Sequence, residues 1–509
     1  MSISPRLSLV AALMLSVAGS PALADLTVDD AWNVWKSQIG ALGLTIDAEE
    51  ARDGDALQIG PINMSFNLPM EAGVFTGSFP GPRFEPLGDG TVRVSYPEES
   101  QFVFGGEIEG EASMNVVVDA TLEGQDMVMS GIPDRVVSTG GYDAVRMRLA
   151  DLTIDGEKLG QAEGTMTVLG GQYELTSTLG GDLITIDGTN AYDRYDLSYG
   201  FEIGEDEAQT GVAVSGFAED VKMTQRIALP AAGLDLLNLH TQLREGMTMS
   251  VLAHSARYGS SEETTQNGEV LALQKSEIND YDVSFVLDTK GLSSEIGTGP
   301  FTGDIQIAEL PFPISLASTK GAGRFVVPLL STGAPQPGQV MMDMQGLTLN
   351  EDLWALADPE GQLPRDPIAL RFDLTGEVDV TFDLLDINRL IEGGAPNPFV
   401  PVSANLKGLF LSMVGAELTG DGAFTFDAED TETFPGLPRP EGTLDLNLTG
   451  ANALIDRLVA MGLIPEEQAM GARMMMGMFA VPGEGEDTLT SQIEINEQGH
   501  VLANGQRLR

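Results

Sequence analysis

Cysteine is absent from all 509 residues. In an oxidising compartment that excludes disulfides, thiolate metal sites and thiol catalysis, and leaves burial alone to hold the fold. Basic residues are scarce, with 27 Lys+Arg against 76 Asp+Glu and a net charge of −49. Such a field excludes binding to nucleic acid or to an anionic lipid surface through general electrostatics. Aromatic residues make up only 6%, which disfavours a sugar-stacking cleft. Histidine occurs 3 times, as His240, His254 and His500. No HExxH pair, GxSxG elbow or Gly-Lys dipeptide is present. The helical zinc-protease site, the hydrolase elbow and the Walker loop are thereby excluded.

The first 24 residues have the layout of a secretory leader. Arg6 supplies a positive n-region, Leu7 to Val17 a short apolar run, and Pro21-Ala22-Leu23-Ala24 a small-x-small cleavage site. The expectation is export to the periplasm with cleavage after Ala24, so that Asp25 heads a mature chain of 485 residues (509 − 24). Without cysteine near the cut, lipid anchoring there is excluded. Beyond the leader, no segment has the roughly 18 uninterrupted apolar residues of a membrane helix. No transmembrane segment is expected in the mature chain.

Sixty glycines and 27 prolines punctuate the rest. Between them, short runs alternate apolar and polar residues: Val92-Arg93-Val94, Val145-Arg146-Met147-Arg148-Leu149, Leu183-Ile184-Thr185-Ile186, Met247-Thr248-Met249, Leu370-Arg371-Phe372-Asp373-Leu374 and Leu444-Asp445-Leu446-Asn447-Leu448. A period of two greases one sheet face and wets the other. The fold class expected is mainly β: large, curved, mostly antiparallel sheets with a few short covering helices.

Thr27, with Asp30 three residues on, reads as a capping box that opens a helix ending at Gly43, with Ala31, Trp32 and Trp35 on its apolar stripe. Further helices are expected at Leu234 to Arg244, from Asn350, at Leu385 to Ile391, and over 453–478 with Pro465 at a helix start. The polar stretch Tyr258 to Gly268 suggests a division into an N-terminal β-rich region (25–265) and a C-terminal one (275–509).

Candidate chemistry is thin. Asp187, Asp193 and Asp196 are the densest acidic grouping, but no stretch matches a calcium loop. No catalytic, cofactor-binding or metal-ligating residue is identified, and no cofactor is expected. Methionine is abundant, 22 in all. Met470, Met474, Met475 and Met478 cluster in the last helix and are the candidate surface for an apolar ligand or partner, because methionine adapts to varied apolar shapes.

Several segments carry a family resemblance. They are Leu26 to Trp35; Met344-Gln345-Gly346-Leu347-Thr348-Leu349 running on through Trp354-Ala355-Leu356-Ala357-Asp358-Pro359; Leu363-Pro364-Arg365-Asp366-Pro367; and Gly450 to Arg509. In these the chain resembles the DUF2125 family of alphaproteobacterial secreted proteins across its mature length, with a looser AsmA-like and YdgA-like character. The resemblance implies no catalytic residues, since the family has none established.

Three readings remain open. One is a non-enzymatic periplasmic envelope protein with an apolar groove for lipid. The second is a structural or assembly factor acting through protein contacts. The third is a secreted hydrolase with dispersed carboxylates. What separates a scaffold from a lipid handler is whether the greasy sheet faces close into a dry sandwich or leave an open trough.

Overall fold

The structure is a computed structural model that describes residues 26–108, 113–159, 161–204, 209–392 and 397–509. The leader expected over 1–24 lies outside the described residues. Strand accounts for 61% and helix for 12%, so the chain is mainly β. The thirty strands among the described residues belong to one sheet system.

The backbone of the fold is an up-and-down meander. Strands Arg135–Ile154, Glu163–Thr178, Leu183–Ile203, Thr210–Pro230, Thr248–Gln266 and Glu269–Asp288 pair in chain order, every pair antiparallel. The longest have 21 residues, about 70 Å of extended chain. The sheet continues through two interrupted strands, Gly291–Ile307 and Ile314–Val327, into Gln336–Leu349, Ile368–Val380, Phe399–Met413, Ala416–Asp427, Arg439–Thr449 and Thr488–Ile495. At the other end it forks. One half of Arg135–Ile154 pairs with Ser113–Glu123, the other with Asp126–Ile132.

The polar stretch proposed as a boundary is part of this sheet. Strand Thr248–Gln266 turns at Asn267-Gly268 into Glu269–Asp288, and pairing runs through 258–278. Polar side chains do not interrupt a ladder made by the backbone, which is why composition marked a break where none occurs in the hydrogen bonding.

A transverse crease crosses the long strands near their middle. There each strand carries one extra residue and the apolar spacing lengthens from two to three: Tyr142 to Val145, Tyr192 to Tyr195, Ile278 to Tyr281. The unpaired positions are Asp143 against Gly170, Asp193 against Asp220, and Ala256 against Asp280. Gly170, Asp220 and Asp280 have φ of +63°, +51° and +51°, a left-handed conformation that glycine adopts freely and aspartate tolerates. The extra residue restores the pleat phase, so the same side of the sheet stays apolar on both halves of each strand.

Among the described residues, six α-helices decorate the strand ends. Helix α1 (Val28–Ala41) opens with the predicted capping box: Asp30 N–H donates to Thr27 Oγ1 at 3.1 Å, and Thr27 N–H to Asp30 Oδ2 at 3.0 Å. Its buried Ala31, Trp32 and Val34 pack on Leu57, Ile59, Phe84, Val92, Val94 and Met129 in the fork. A second core joins Ala41 to Ile184, Leu229, Leu243, Met247 and Leu330. That core closes the end of the sheet where α2 (Leu239–Arg244) lies. Helix α3 (Glu351–Ala357) sits at the opposite end of the strands, and α4 (Ile387–Glu392) links Ile368–Val380 to Phe399–Met413. Helices α5 (Ala451–Ala460) and α6 (Glu466–Phe479) form a hairpin between the last two long strands. No helix among the described residues is long and apolar enough to cross a membrane.

Candidate functional site

Following the strand pairings from residue to opposed residue traces one side of the sheet. It opens with Ile46, Met64, Phe75, Phe79, Phe102 and Phe104. It continues through Val118, Met147, Met166, Leu197 and Val214, and ends in Leu406, Leu418, Leu446 and Ile493. Phe79, Phe102 and Phe104 stack along it with centroids 6.1 and 6.4 Å apart. Lysine and arginine do not occur among these registered positions, and Glu262, opposite Val214, is a charged residue met within the long strands. The other side carries the polar ladders, with ion pairs such as Arg148–Asp119, Arg226–Asp187 and Arg257–Glu277.

This apolar side is not covered throughout. Helix α1 fills it in the fork, but further along Phe325 (44%), Ile296 (42%), Val340 (42%), Leu374 (40%) and Met342 (39%) remain exposed. They are neighbours: Val340 is opposed to Phe325 on one strand and Leu374 on the next, and Met342 lies beside Val340 on the same side. A dry sandwich would bury these residues; here that side of the sheet stays partly open to water, and this open side is the trough.

The sequence-predicted methionines lie on α6. Ala469 is buried beneath the helix, whereas Met470 (70%), Met474 (69%), Met475 (62%) and Met478 (54%) point outward. The helix end is tied to the apolar side, because Ser491 Oγ, on that side, donates to the Phe479 carbonyl at 2.5 Å. Asn504 Nδ2 donates to the same carbonyl at 3.0 Å.

The acidic grouping does not converge. Asp187 pairs with Arg226 at 2.6 Å and Asp196 with Arg194 at 2.7 Å. Nine residues of extended strand put these two about 30 Å apart. Asp193 instead lies against the crease glycine Gly170. No group of three or more metal-binding side chains occurs among the described residues. His254 Nδ1 lies 2.9 Å from Asp282, and His240 is half-buried in α2 with its Nδ1 unpartnered. A hollow of about 980 Å³ opens on the polar side at the crease, lined by Asp126, Asp143, Glu174, Asp193 and Lys222 over a glycine floor. On the apolar side of the crease, burial raises the Tyr142 phenol to about 12.

Sequence reasoning missed the role of Asp358 and Arg365, although both fall in the motifs quoted above. Asp358 is buried at the end of α3. Its carboxylate accepts from Arg365 at 2.7 Å and from the N–H groups of Leu363 and Gln362 at 2.8 Å each. Arg365 also stacks over Trp354, 4.6 Å from the ring centroid. The motif is thus a structural clamp that closes the loop between two trough strands. Burial alone would push the Asp358 carboxyl up; the Leu363 and Gln362 N–H groups, then Arg365, outweigh it and hold it below the usual carboxylate range.

A depressed carboxyl stabilises the fold above its unfolded pKa, about 4, and that contribution is lost as pH falls through the lower folded value. The melting temperature of the natural chain should therefore exceed that of Asp358→Asn most at neutral pH, and the gap should narrow below about pH 4. Melting curves from pH 7 to pH 3 that stay parallel would remove the clamp from the account.

The fold and this side define a class: a broad amphipathic antiparallel sheet with one open apolar surface. A family model described as "Uncharacterized protein conserved in bacteria (DUF2125)" matches residues 327–505, the C-terminal part of the chain. The match takes in the exposed strands from Gln336 onward, the Asp358–Arg365 clamp and α6. Leu26 to Trp35, expected to share the resemblance, lies outside the matched residues. No curated protein and no solved structure matches the chain.

Proposed function

We propose that this is a non-enzymatic envelope protein, exported to the periplasm, that holds the acyl chains of a lipid or a similar apolar ligand along the open side of its sheet. The observation that carries this reading is the contiguous exposed set Ile296, Phe325, Val340, Met342 and Leu374. Contiguous apolar patches beyond a few hundred Å² are unusual on free monomers and mark interaction surfaces. A continuous strip with polar ladders behind it suits an extended chain better than a compact polar substrate. The exposed methionines of α6 lie on the helix whose end Ser491 holds at the C-terminal edge of that side.

The outward methionine face also favours a second reading, in which an apolar segment of a partner protein docks there. The dispersed-carboxylate hydrolase has no such support, since its best acidic grouping is spread along one strand.

Native mass spectrometry of protein purified from the periplasm separates these readings. The expected result is a population carrying lipid-sized additions, with uptake of an uncharged naphthylamine probe by the delipidated protein. Empty protein that takes up no probe, together with a protein partner retained in pull-down, would replace the first reading with the second.

A further inference from the structure

Within the long central strands, away from their ends, the charged side chain of Glu262 interrupts the apolar side. Glu262 lies directly opposite Gln274, and Ser260 opposite Ser276. The two serine hydroxyls are 2.8 Å apart. This four-residue polar island lies in the half of the strands away from the helix-closed end. Apolar positions border it: Val214 is opposed to Glu262 on one flank, and Ile305 to Gln274 on the other. Along the strands, Tyr258 and Ile278 continue the apolar side towards the crease. Glu262 is exposed and makes no ion pair within 4.0 Å among the described residues. Nearby cations face the other way: Arg257 pairs with Glu219 and Glu277 on the polar side.

Resting on the trough reading above, we infer that this island seats the head group of the bound amphiphile, and that the preferred head carries an amine. An anionic head, phosphate or carboxylate, would meet an uncompensated carboxylate and find no lysine or arginine at the described positions registered around it on that side. It would also enter against the field of a chain with net charge −49. An ammonium group gains the Glu262 carboxylate as a partner and the Gln274 and serine oxygens as acceptors, while its chain lies on the flanking apolar positions. The site is open to water, so the preference should be modest, about fivefold.

The test uses the processed, delipidated protein and three probes of equal chain length: hexadecylammonium, hexadecanol and hexadecanoate. Each is titrated against a bound uncharged naphthylamine. The ammonium should displace the probe at about fivefold lower concentration than the alcohol, with the carboxylate weakest. Glu262→Gln should erase the difference between ammonium and alcohol without weakening the alcohol. Glu262→Lys should reverse the order of the two charged probes. Equal displacement by all three, or an ammonium preference that survives Glu262→Gln, overturns the head-group assignment and leaves the trough intact. No displacement by any of them sinks the trough reading itself.

Discussion

Introducing glutamate at both Phe325 and Leu374 should weaken apolar-ligand binding about a hundredfold while leaving the fold intact. The two residues flank Val340 on either neighbouring strand of the open trough. Seating an acyl chain over them would take each new carboxylate out of water with no donor to pair with, since the positions registered around them on that side hold no lysine or arginine. Desolvating an unpaired carboxylate costs several kcal/mol if complete, and about one order of magnitude in affinity per site if partial. Phe325 and Leu374 are 44% and 40% exposed, so each already meets water and the glutamate stem keeps part of the buried contact. Because the two sit on strands separated by a third, their mutual repulsion is weak. Thr375→Glu is the control: it adds a charge on the neighbouring residue, which faces the polar side. The measurement is naphthylamine uptake alongside thermal melting. Unchanged uptake in the double variant, with an unchanged melting curve, would show that the ligand does not lie on this strip. Loss of uptake in Thr375→Glu as well would reduce the effect to general charge.

The trough was legible in part because its chemistry is written with period two. Leu370, Phe372 and Leu374, or Leu444, Leu446 and Leu448, announce one greasy face by their spacing alone. What sequence could not convey is that these faces stay partly uncovered. Alternation is the same whether a second layer packs on it or not, and the deciding quantity is the exposure of Val340 or Phe325 in three dimensions. The crease was hidden for a different reason. Ile278 to Tyr281 and Tyr192 to Tyr195 break the alternation by one residue, which reads as the end of one strand and the start of another. Only the pairing shows that the strand continues through the extra residue. The helices were placed well where a cap fixes them, as at Thr27, and less well where apolar residues alone suggested them. Leu234 begins no helix because residues up to Asn238 form turns that precede α2. The methionines of α6 were found by composition, yet Glu262 was not, since one acid among 76 has no signature until its side of the sheet is known.

Trp32→Ala should loosen the fork end of the sheet without melting the rest. Trp32 is 2% exposed and lies 6.1 Å from the Phe84 ring in the core beneath α1. Its Nε1 donates to Glu50 at 2.6 Å, the largest cause of that carboxyl's lowered pKa. Removing a buried tryptophan typically costs about 3–5 kcal/mol through lost transfer energy and the cavity left behind. In a sheet paired strand to neighbouring strand, that loss falls on the local unit rather than being shared across the chain. Helix α1 is held mainly by this core, so the cost should appear as opening of α1 and the strands around Leu57 and Val92. Amide exchange there should accelerate about a hundredfold to a thousandfold, while exchange in strands Ala416–Asp427 and Arg439–Thr449 stays unchanged. Trp35→Ala, at a half-buried position on the same helix, should give a smaller acceleration confined to the same region. Uniform acceleration across the whole sheet would instead make the meander a single cooperative unit. No acceleration in α1 would mean that the helix is held by something other than its tryptophan-centred core.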